Sequence, residues 1–427
     1  MFNKREIEYI LENANADCSK LLLGGAKEPG IRVKECVAAI LARRKLRDKV
    51  PLLYNHPAIE YPISLSVEQC SSQETALYKS SIVKGILESA QKKRSTADIT
   101  GGMGIDSLFI AGALGQRHLY IERNPQLCSA ARENFALLGA KSIEVITGDC
   151  REMLPQLQEA APLLIYADPA RRASGSGGKL ILLKDYEPNI LSLKAQLLQI
   201  APYLLVKVSP MADIRLNLEL MPECTQVHIV ALENECKELL FLLEREPAPQ
   251  CTLHAVNIRA REGSRTEFTF TLAEEKSAIC RLATGEESAA YLFEPNRAIL
   301  KSGAFKTVAQ RLNLTKLAPS THLYFTDEQS AAPFGRLFPI LSVRAFSKEA
   351  LKHLRKEFPK ANVIARNFPI STEEVRKRAK IEDGGEVTLF FTTLNNGCRS
   401  IIICKGEPSA KESPSAKNSP TILQLSF

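Results

Sequence analysis

The sequence predicts an α/β protein: a mostly parallel sheet covered by helices, with a helical N-terminal domain before it and an α+β region after it. Three observations predict this. From Thr96 onward, short apolar runs ("ADIT", "HLYIE", "IEVITGD", "LLIYADP", "LLVKVSP") alternate with helical patterns, the alternation of a parallel sheet covered on both faces. Residues 1–92 carry helical periodicity with few strand-like runs, and beyond Arg245 the texture changes to hairpins and short helices. With 427 residues the chain exceeds one compact core, and 45% hydrophobic with 24% charged residues is an ordinary globular balance.

Within the N-terminal domain, "VKECVAAILARRKLRDKV" has helical spacing and ends in a basic cluster, and "SSQETALYKSSIVKGIL" predicts an amphipathic helix opened by a capping box of Ser71 and Glu74. The α/β domain, expected over 93–246, finishes in "QVHIVALENECKELLFLLER", two strands joined by a short polar turn that form an antiparallel pair closing the sheet near Arg245. The following α+β region, 247–338, contains a hairpin around Glu262-Gly263-Ser264. A last folded unit, 339–405, reads strand, helix, strand, helix and a hairpin across Asn395-Asn396-Gly397, with Ser371 and Glu374 capping its second helix. The tail from 406 to 427 is rich in Pro, Ser and Lys and is expected to be disordered. No internal repeat is evident.

The opening residues carry acidic side chains where a signal peptide needs an apolar run, and no stretch approaches the ~18 apolar residues of a spanning helix. Eleven cysteines lie scattered without a C-x-x-C pair, and the six histidines are dispersed. Reduced, packed thiols in a cytoplasmic protein without a metal site are the expectation. Net charge is +8, unevenly spread. Residues 95–245 hold 14 Lys/Arg against 18 Asp/Glu, a net of −4, whereas residues 344–380 hold 11 against 4, a net of +7. A concentrated basic segment is the footprint of a phosphate-backbone binder, with a solvated pair of helices as the competing reading.

The glycine turn in "ADITGGMGIDSLFIA" joins a strand to a helix, where glycine lets backbone approach a ligand. A P-loop would need Lys and Ser/Thr after Gly104, and Ile105 and Asp106 stand there instead. A dinucleotide site is harder to exclude, because Glu122 ends the second strand where a ribose-binding carboxylate belongs. Asp98 before the turn favours a cationic sulfonium ligand over a pyrophosphate. Asp149 ends the third strand, placed to accept from an adenine amino group, and Asp168-Pro169 ends the fourth. All lie at carboxyl ends of successive strands, where open α/β sheets bind ligands.

Over about residues 95–245 the chain resembles the Rossmann-like class I methyltransferases that use S-adenosylmethionine (SAM). In "DITGGMG", Asp98, Gly102 and Gly104 align with the family's first motif, and Thr100 stands where glycine is frequent. The resemblance implies a cofactor set of Asp98, Thr100, Gly101, Gly102, Gly104, Asp106, Glu122 and Asp149, and a catalytic set of Asp168, Pro169 and Arg171. "DPARR" lacks the aromatic ring that base-directed enzymes stack on an extruded base, and Cys150 is misplaced for a covalent pyrimidine mechanism. Direct in-line displacement remains, with Asp168 orienting the acceptor and Arg171 and Arg172, followed by the loop "ASGSGGK", steadying a phosphate.

"LFEPNRAILKSGAF", "RNFPISTEEVRKRAKIEDGG" and "CRSIIICK" resemble a bacterial methyltransferase family with a ferredoxin-like insert and a THUMP-like terminal domain. That resemblance implies an RNA substrate, tRNA or rRNA, with Arg376, Lys377, Arg378 and Lys380 as RNA-contacting residues. Small-molecule or protein methylation, and an idle SAM-retaining RNA-binding protein, are the alternatives.

Overall fold

The computed structural model describes residues 2–24, 30–61, 64–90, 94–171, 183–285 and 287–406. It divides into two compact units: residues to Val227 with Glu238–Pro249, and His228–Lys237 with the described chain from Gln250 to Gly406.

In the first unit, helices α1 (Lys4–Glu12), α2 (Val33–Leu46) and α3 (Gln73–Ala90) precede the sheet. Asn3 and Glu6 form a capping box on α1, and Glu6 also binds the Arg32 guanidinium through both oxygens at 2.8 Å. That pairing holds the Glu6 carboxyl down at about 2. The sheet elements follow as β1 (Thr96–Asp98), α4 (Ile105–Leu114), β2 (His118–Glu122), α5 (Pro125–Leu137), β3 (Ile143–Thr147), β4 (Leu164–Ala167), α6 (Ile190–Ile200), β5 (Tyr203–Val208), β6 (Cys224–Leu232) and β7 (Glu235–Glu244), the joined ends of β6 and β7 over His228–Lys237 being counted with the second unit. Their spatial order is β6-β7-β5-β4-β1-β2-β3, with β5, β4, β1, β2 and β3 parallel and β7 antiparallel to β5. The order reverses beside β1, so a crevice opens at the carboxyl ends of β1 and its neighbours.

The N-terminal helices build a small core of their own around Ile10, Cys36, Ala39 and Ile40, and share a second one with this sheet. Leu46, Val50, Leu53, Val67 and Ala76 pack with Ile105, Leu108 and Phe109 of α4 and with Tyr120 and Phe135. The backbone of Glu60 exchanges hydrogen bonds with the Asn134 amide of α5 at 2.8 and 3.0 Å. The expected cap of α3 is corrected by one residue. Ser72, not Ser71, accepts the Thr75 N–H, and the Ser71 hydroxyl turns inward to Asp106.

In the second unit, β8 (Thr252–Arg259) and β9 (Ser264–Thr271) form the expected hairpin, closed by Gly263 in the left-handed region. An eight-stranded sheet follows, containing β10 (Tyr291–Pro295), β11 (Thr315–Ala318), β12 (Thr321–Thr326), β13 (Gly335–Ala345), β14 (Asn362–Arg366), β15 (Val387–Thr393) and β16 (Arg399–Lys405). Strand β13 pairs with β10 through Gly335–Pro339 and with β16 from Ile340 to Ala345. The expected boundary at 338/339 therefore falls inside one strand. Helices α7 (Lys348–Glu357) and α8 (Thr372–Ala379) cover one face of β14–β16 through Leu351, Leu354, Val375 and Ala379. The other face meets Leu292, Leu317, Phe325 and Phe338. The expected disordered tail lies outside the described residues apart from Gly406.

Candidate active site at the sheet's carboxyl edge

The turn after β1 is held from inside. Asp98 is 1% exposed, and its carboxylate accepts from the Thr100 N–H and hydroxyl at 2.9 and 3.1 Å and from the Ser107 hydroxyl at 2.8 Å. Burial pushes this carboxyl up to about 7, against those hydrogen bonds. Asp98 thus shapes the turn instead of presenting a free charge to a sulfonium. The Thr100 hydroxyl also accepts the Asp168 N–H at 2.7 Å, tying the ends of β1 and β4 together. This double role explains threonine where the family motif often has glycine.

The three glycines differ in what they do. A Cβ on Gly101 would stand 2.3 Å from the Tyr120 ring, and one on Gly104 would stand 2.6 Å from Phe135. Both are required for packing. Gly102, at φ +55°, would place a Cβ in open space, 3.7 Å from the Thr100 carbonyl as its nearest neighbour, so it leaves room for a ligand against the backbone. Its N–H donates to Glu122 at 3.0 Å, and its carbonyl accepts from the Tyr120 hydroxyl at 2.6 Å.

Glu122 is half-buried, and the Gly102 and Asn124 N–H groups fix its two oxygens, at 3.0 and 2.8 Å. Asp149 follows β3, its carboxylate paired with Arg151 at 2.8 and 2.6 Å. That pairing holds it down at about 2, and Arg151 reaches Glu187 at 3.2 Å. Cys150 is buried and its thiol is pushed up to about 11 by that burial, which suits packing rather than covalent catalysis. Pro169 is buried and Ala170 exposed, and the backbone of Ala170–Arg171 pairs with Tyr186–Glu187. The Arg171 side chain, Arg172 and the Gly/Ser loop lie outside what the structure describes.

Asp106, expected as a cofactor contact, is engaged by neighbouring side chains. It is buried, accepting from Ser71 and Tyr166 hydroxyls at 2.8 Å each and lying 3.2 Å from Lys79. Lys79 is fully buried and also reaches both Glu238 oxygens at 2.7 and 2.8 Å. Lys207, at the end of β5, stands 2.6 Å from Asp168 and 3.3 Å from the Ser71 hydroxyl. Burial disfavours the Lys207 ammonium, yet Asp168, Asp106 and Glu238 outweigh it and hold Lys207 above the usual range. The lysines pull Asp106 below its ordinary value against burial, while burial dominates at Glu238 and raises it.

Sequence reasoning missed Ser71, Lys79, Tyr166, Lys207 and Glu238. The available signal was positional: Lys79 interrupts the apolar stripe of Ala76, Val83 and Leu87, and Glu238 precedes the run Leu239–Leu243, whose residues are all buried.

A solved structure of a candidate methyltransferase from Porphyromonas gingivalis W83 is 34% identical, with TM-score 0.83, covering 95% of this chain and 99% of that one. The chain belongs to that class I methyltransferase family. The family's C-terminal parts are recognised separately: a ferredoxin-like domain profile matches residues 291–332 and a THUMP domain-like profile matches 335–406. An O-methyltransferase from Bacillus cereus, solved with S-adenosylhomocysteine (SAH), is 14% identical over 48% of this chain and 90% of that chain, with TM-score 0.33. A SAM-dependent methyltransferase from Agrobacterium tumefaciens is 19% identical over 40% and 62%, with TM-score 0.31. No curated protein sequence matches this methyltransferase.

The expected RNA-contacting residues divide in two. Arg376 pairs with Asp383, and Arg378 with Glu374 at 2.8 Å. Lys377 and Lys380 are exposed, as are Lys348, Lys352, Arg355, Lys356 and Lys360 on and just after α7, and none of these seven has an ion pair among the described residues. The free positive charge of the THUMP-like domain therefore lies mainly with α7. Among the described residues, no cluster of metal-ligating side chains occurs and no helix is long and apolar enough to cross a membrane.

Proposed function

We propose that the chain methylates RNA, tRNA or rRNA, with SAM as methyl donor. The observation that carries the donor is the pairing of Gly102, open to a ligand, with Glu122, whose carboxylate is pre-oriented at the same turn. These residues fit an adenosine: Glu122 accepts from vicinal ribose hydroxyls, Gly102 admits close approach, and Asp149 accepts from the adenine amino group. Gly101, Gly104 and Thr100 fix the turn's shape. SAM supplies an electrophilic methyl group on a sulfonium.

Asp168, 35% exposed at its side chain and anchored by Lys207 and Thr100, orients the acceptor against that methyl. Pro169 keeps the chain rigid after it, and Arg171 is assigned to a substrate phosphate. RNA as substrate is supported by the lysines of α7 and α8, which carry no ion pair among the described residues and offer a surface for phosphates. The scattered cysteines, with no C-x-x-C pair in the sequence, fit a reducing, cytoplasmic setting.

Incubation of the full-length protein with methyl-labelled SAM and total RNA, from cells lacking the gene, tests the reading. Label should enter RNA, and Asp168→Asn should abolish most of it while SAH affinity in calorimetry stays within about twofold. Label entering protein or small molecules instead would sink the RNA assignment. Unchanged SAH affinity in Glu122→Ala, expected to lose roughly 1.5–3 kcal/mol, would remove the donor site.

A further inference from the structure

The charges beside Asp168 bear on which atom receives the methyl group. Lys207 Nζ lies 2.6 Å from Asp168 Oδ2, with its side chain 14% exposed. Behind it, the Ser71 hydroxyl touches Lys207 at 3.3 Å and Lys79 at 3.2 Å, and donates to Asp106 at 2.8 Å. Lys79 in turn sits between Asp106 and Glu238. Two ammonium groups and three carboxylates thus share one partly dry cluster, and the carboxylates keep Lys207 charged. It is a fixed cation and hydrogen-bond donor beside Asp168.

A neutral amino acceptor becomes cationic as its bond to the methyl carbon forms; Asp168 would favour that change, and the Lys207 ammonium paired with it offsets the help. A hydroxyl acceptor develops negative charge on oxygen as its proton departs, and a fixed cation stabilises it. A second observation points the same way. The residue after Pro169 is exposed Ala170, which offers no ring to stack on an extruded base. Along an RNA chain the hydroxyl on display is the ribose 2′-OH.

Resting on the RNA reading above, we propose that the acceptor is a ribose 2′-hydroxyl, with Lys207 donating to its oxygen and Asp168 taking its proton. The O–CH₃ bond forms as the C–S bond breaks. The electron pair of that bond stays on sulfur, which becomes a neutral thioether, and the proton leaves Asp168 for solvent. Asp106 and Glu238 are positioning residues that keep Lys207 charged, and Lys79, bound to both, holds them in place.

The test uses full-length protein, methyl-labelled SAM and total RNA from cells lacking the gene, followed by alkaline hydrolysis. Because a 2′-O-methyl group blocks cleavage of the adjacent phosphodiester, the label should appear in alkali-stable dinucleotides. Label in mononucleotides places the methyl on a base and overturns this proposal while leaving the RNA reading intact. No label in RNA, with SAH bound normally, removes that reading and this proposal with it. Lys207→Met should lower transfer about a hundredfold or more with SAH affinity unchanged, and Lys207→Arg should recover part. A folded Lys207→Met protein with full activity overturns the role of Lys207. Should that variant fail to fold, the position of the label made by the unmodified protein still decides the acceptor.

Discussion

Lysine is used in opposite ways in the two units of this protein. In the first, Lys79 is fully buried and held by Asp106 and Glu238, while Lys207 is mostly buried against Asp168. In the second, Lys352, Lys356, Lys377 and Lys380 stand in solvent on or just after two neighbouring helices, with no ion pair among the described residues. A buried ammonium has exchanged hydration for fixed partners, so its location is exact and its loss is costly. An exposed one costs little to keep, acts through its field, and is individually replaceable. Charge count alone does not separate the two; burial does.

The largest expected effect breaks the buried side. Lys79→Met leaves Asp106 and Glu238 facing each other's charge in the interior, and should lower unfolding free energy by about 3–5 kcal/mol, measured by denaturant titration. Adding Glu238→Leu removes one of the two stranded carboxylates and should restore part of that loss. If the single variant is as stable as the parent, the cluster does not organise the core.

Next comes pH. The folded Asp98 carboxyl is raised from its ordinary value of 3.8 to about 7. Between those values the folded state keeps a proton that the unfolded state has released, so stability falls as pH rises through the window and levels off above it. The slope reaches at most ~1.4 kcal/mol per pH unit. Asp98→Asn, which cannot titrate, should flatten that part of the profile. An unaltered slope would show that another group titrates.

Third, the glycines sharpen the same contrast between interior and surface. Gly104→Ala drives a methyl group toward Phe135 from a left-handed backbone, and should cost about 1–3 kcal/mol for the overpacking. Gly102→Ala meets open space and should cost only the ~1 kcal/mol of its backbone conformation, while weakening SAH in calorimetry. Equal stability losses at both positions would erase the distinction between a packing glycine and a binding one. The smallest stability effect belongs to the exposed side. Reversing Lys352, Lys356, Lys377 and Lys380 to Glu should shift stability by no more than about 0.5 kcal/mol each. Each loss should also reduce the salt dependence of RNA binding by about one unit of slope. Retention of the full slope would mean that these helices do not carry the phosphate contacts.

The same contrast explains what is legible in the sequence. The strand–turn–helix around Gly102, Glu122 at the end of β2 and Asp168 at the end of β4 are readable because each sits at a strand end whose type is set by local pattern. The basic run of 344–380 is contiguous and needs only counting. By contrast, Ser71, Lys79, Asp106, Tyr166, Lys207 and Glu238 meet only once α3 has docked on α4 and β7 has inserted between β5 and β6. Reading Ser71 as a helix cap is locally reasonable, and it fails because a long-range partner outcompetes the cap. Asp106 is likewise engaged by long-range partners, Ser71, Tyr166 and Lys79, that no local pattern announces. Arg376 and Arg378 look free in sequence and are neutralised by Asp383 and Glu374, one of them a single helical turn away.

Strand β13 carries a further consequence. Its first half completes the ferredoxin-like portion of the eight-stranded sheet and its second half the THUMP-like portion. Neither portion can be excised without leaving the other with a bare, hydrogen-bond-hungry edge. The two modules recognised as separate by their sequences are therefore one heritable block: a recombination or proteolytic cut between them should yield aggregates rather than two domains, and their amides should open to solvent exchange in a single cooperative step.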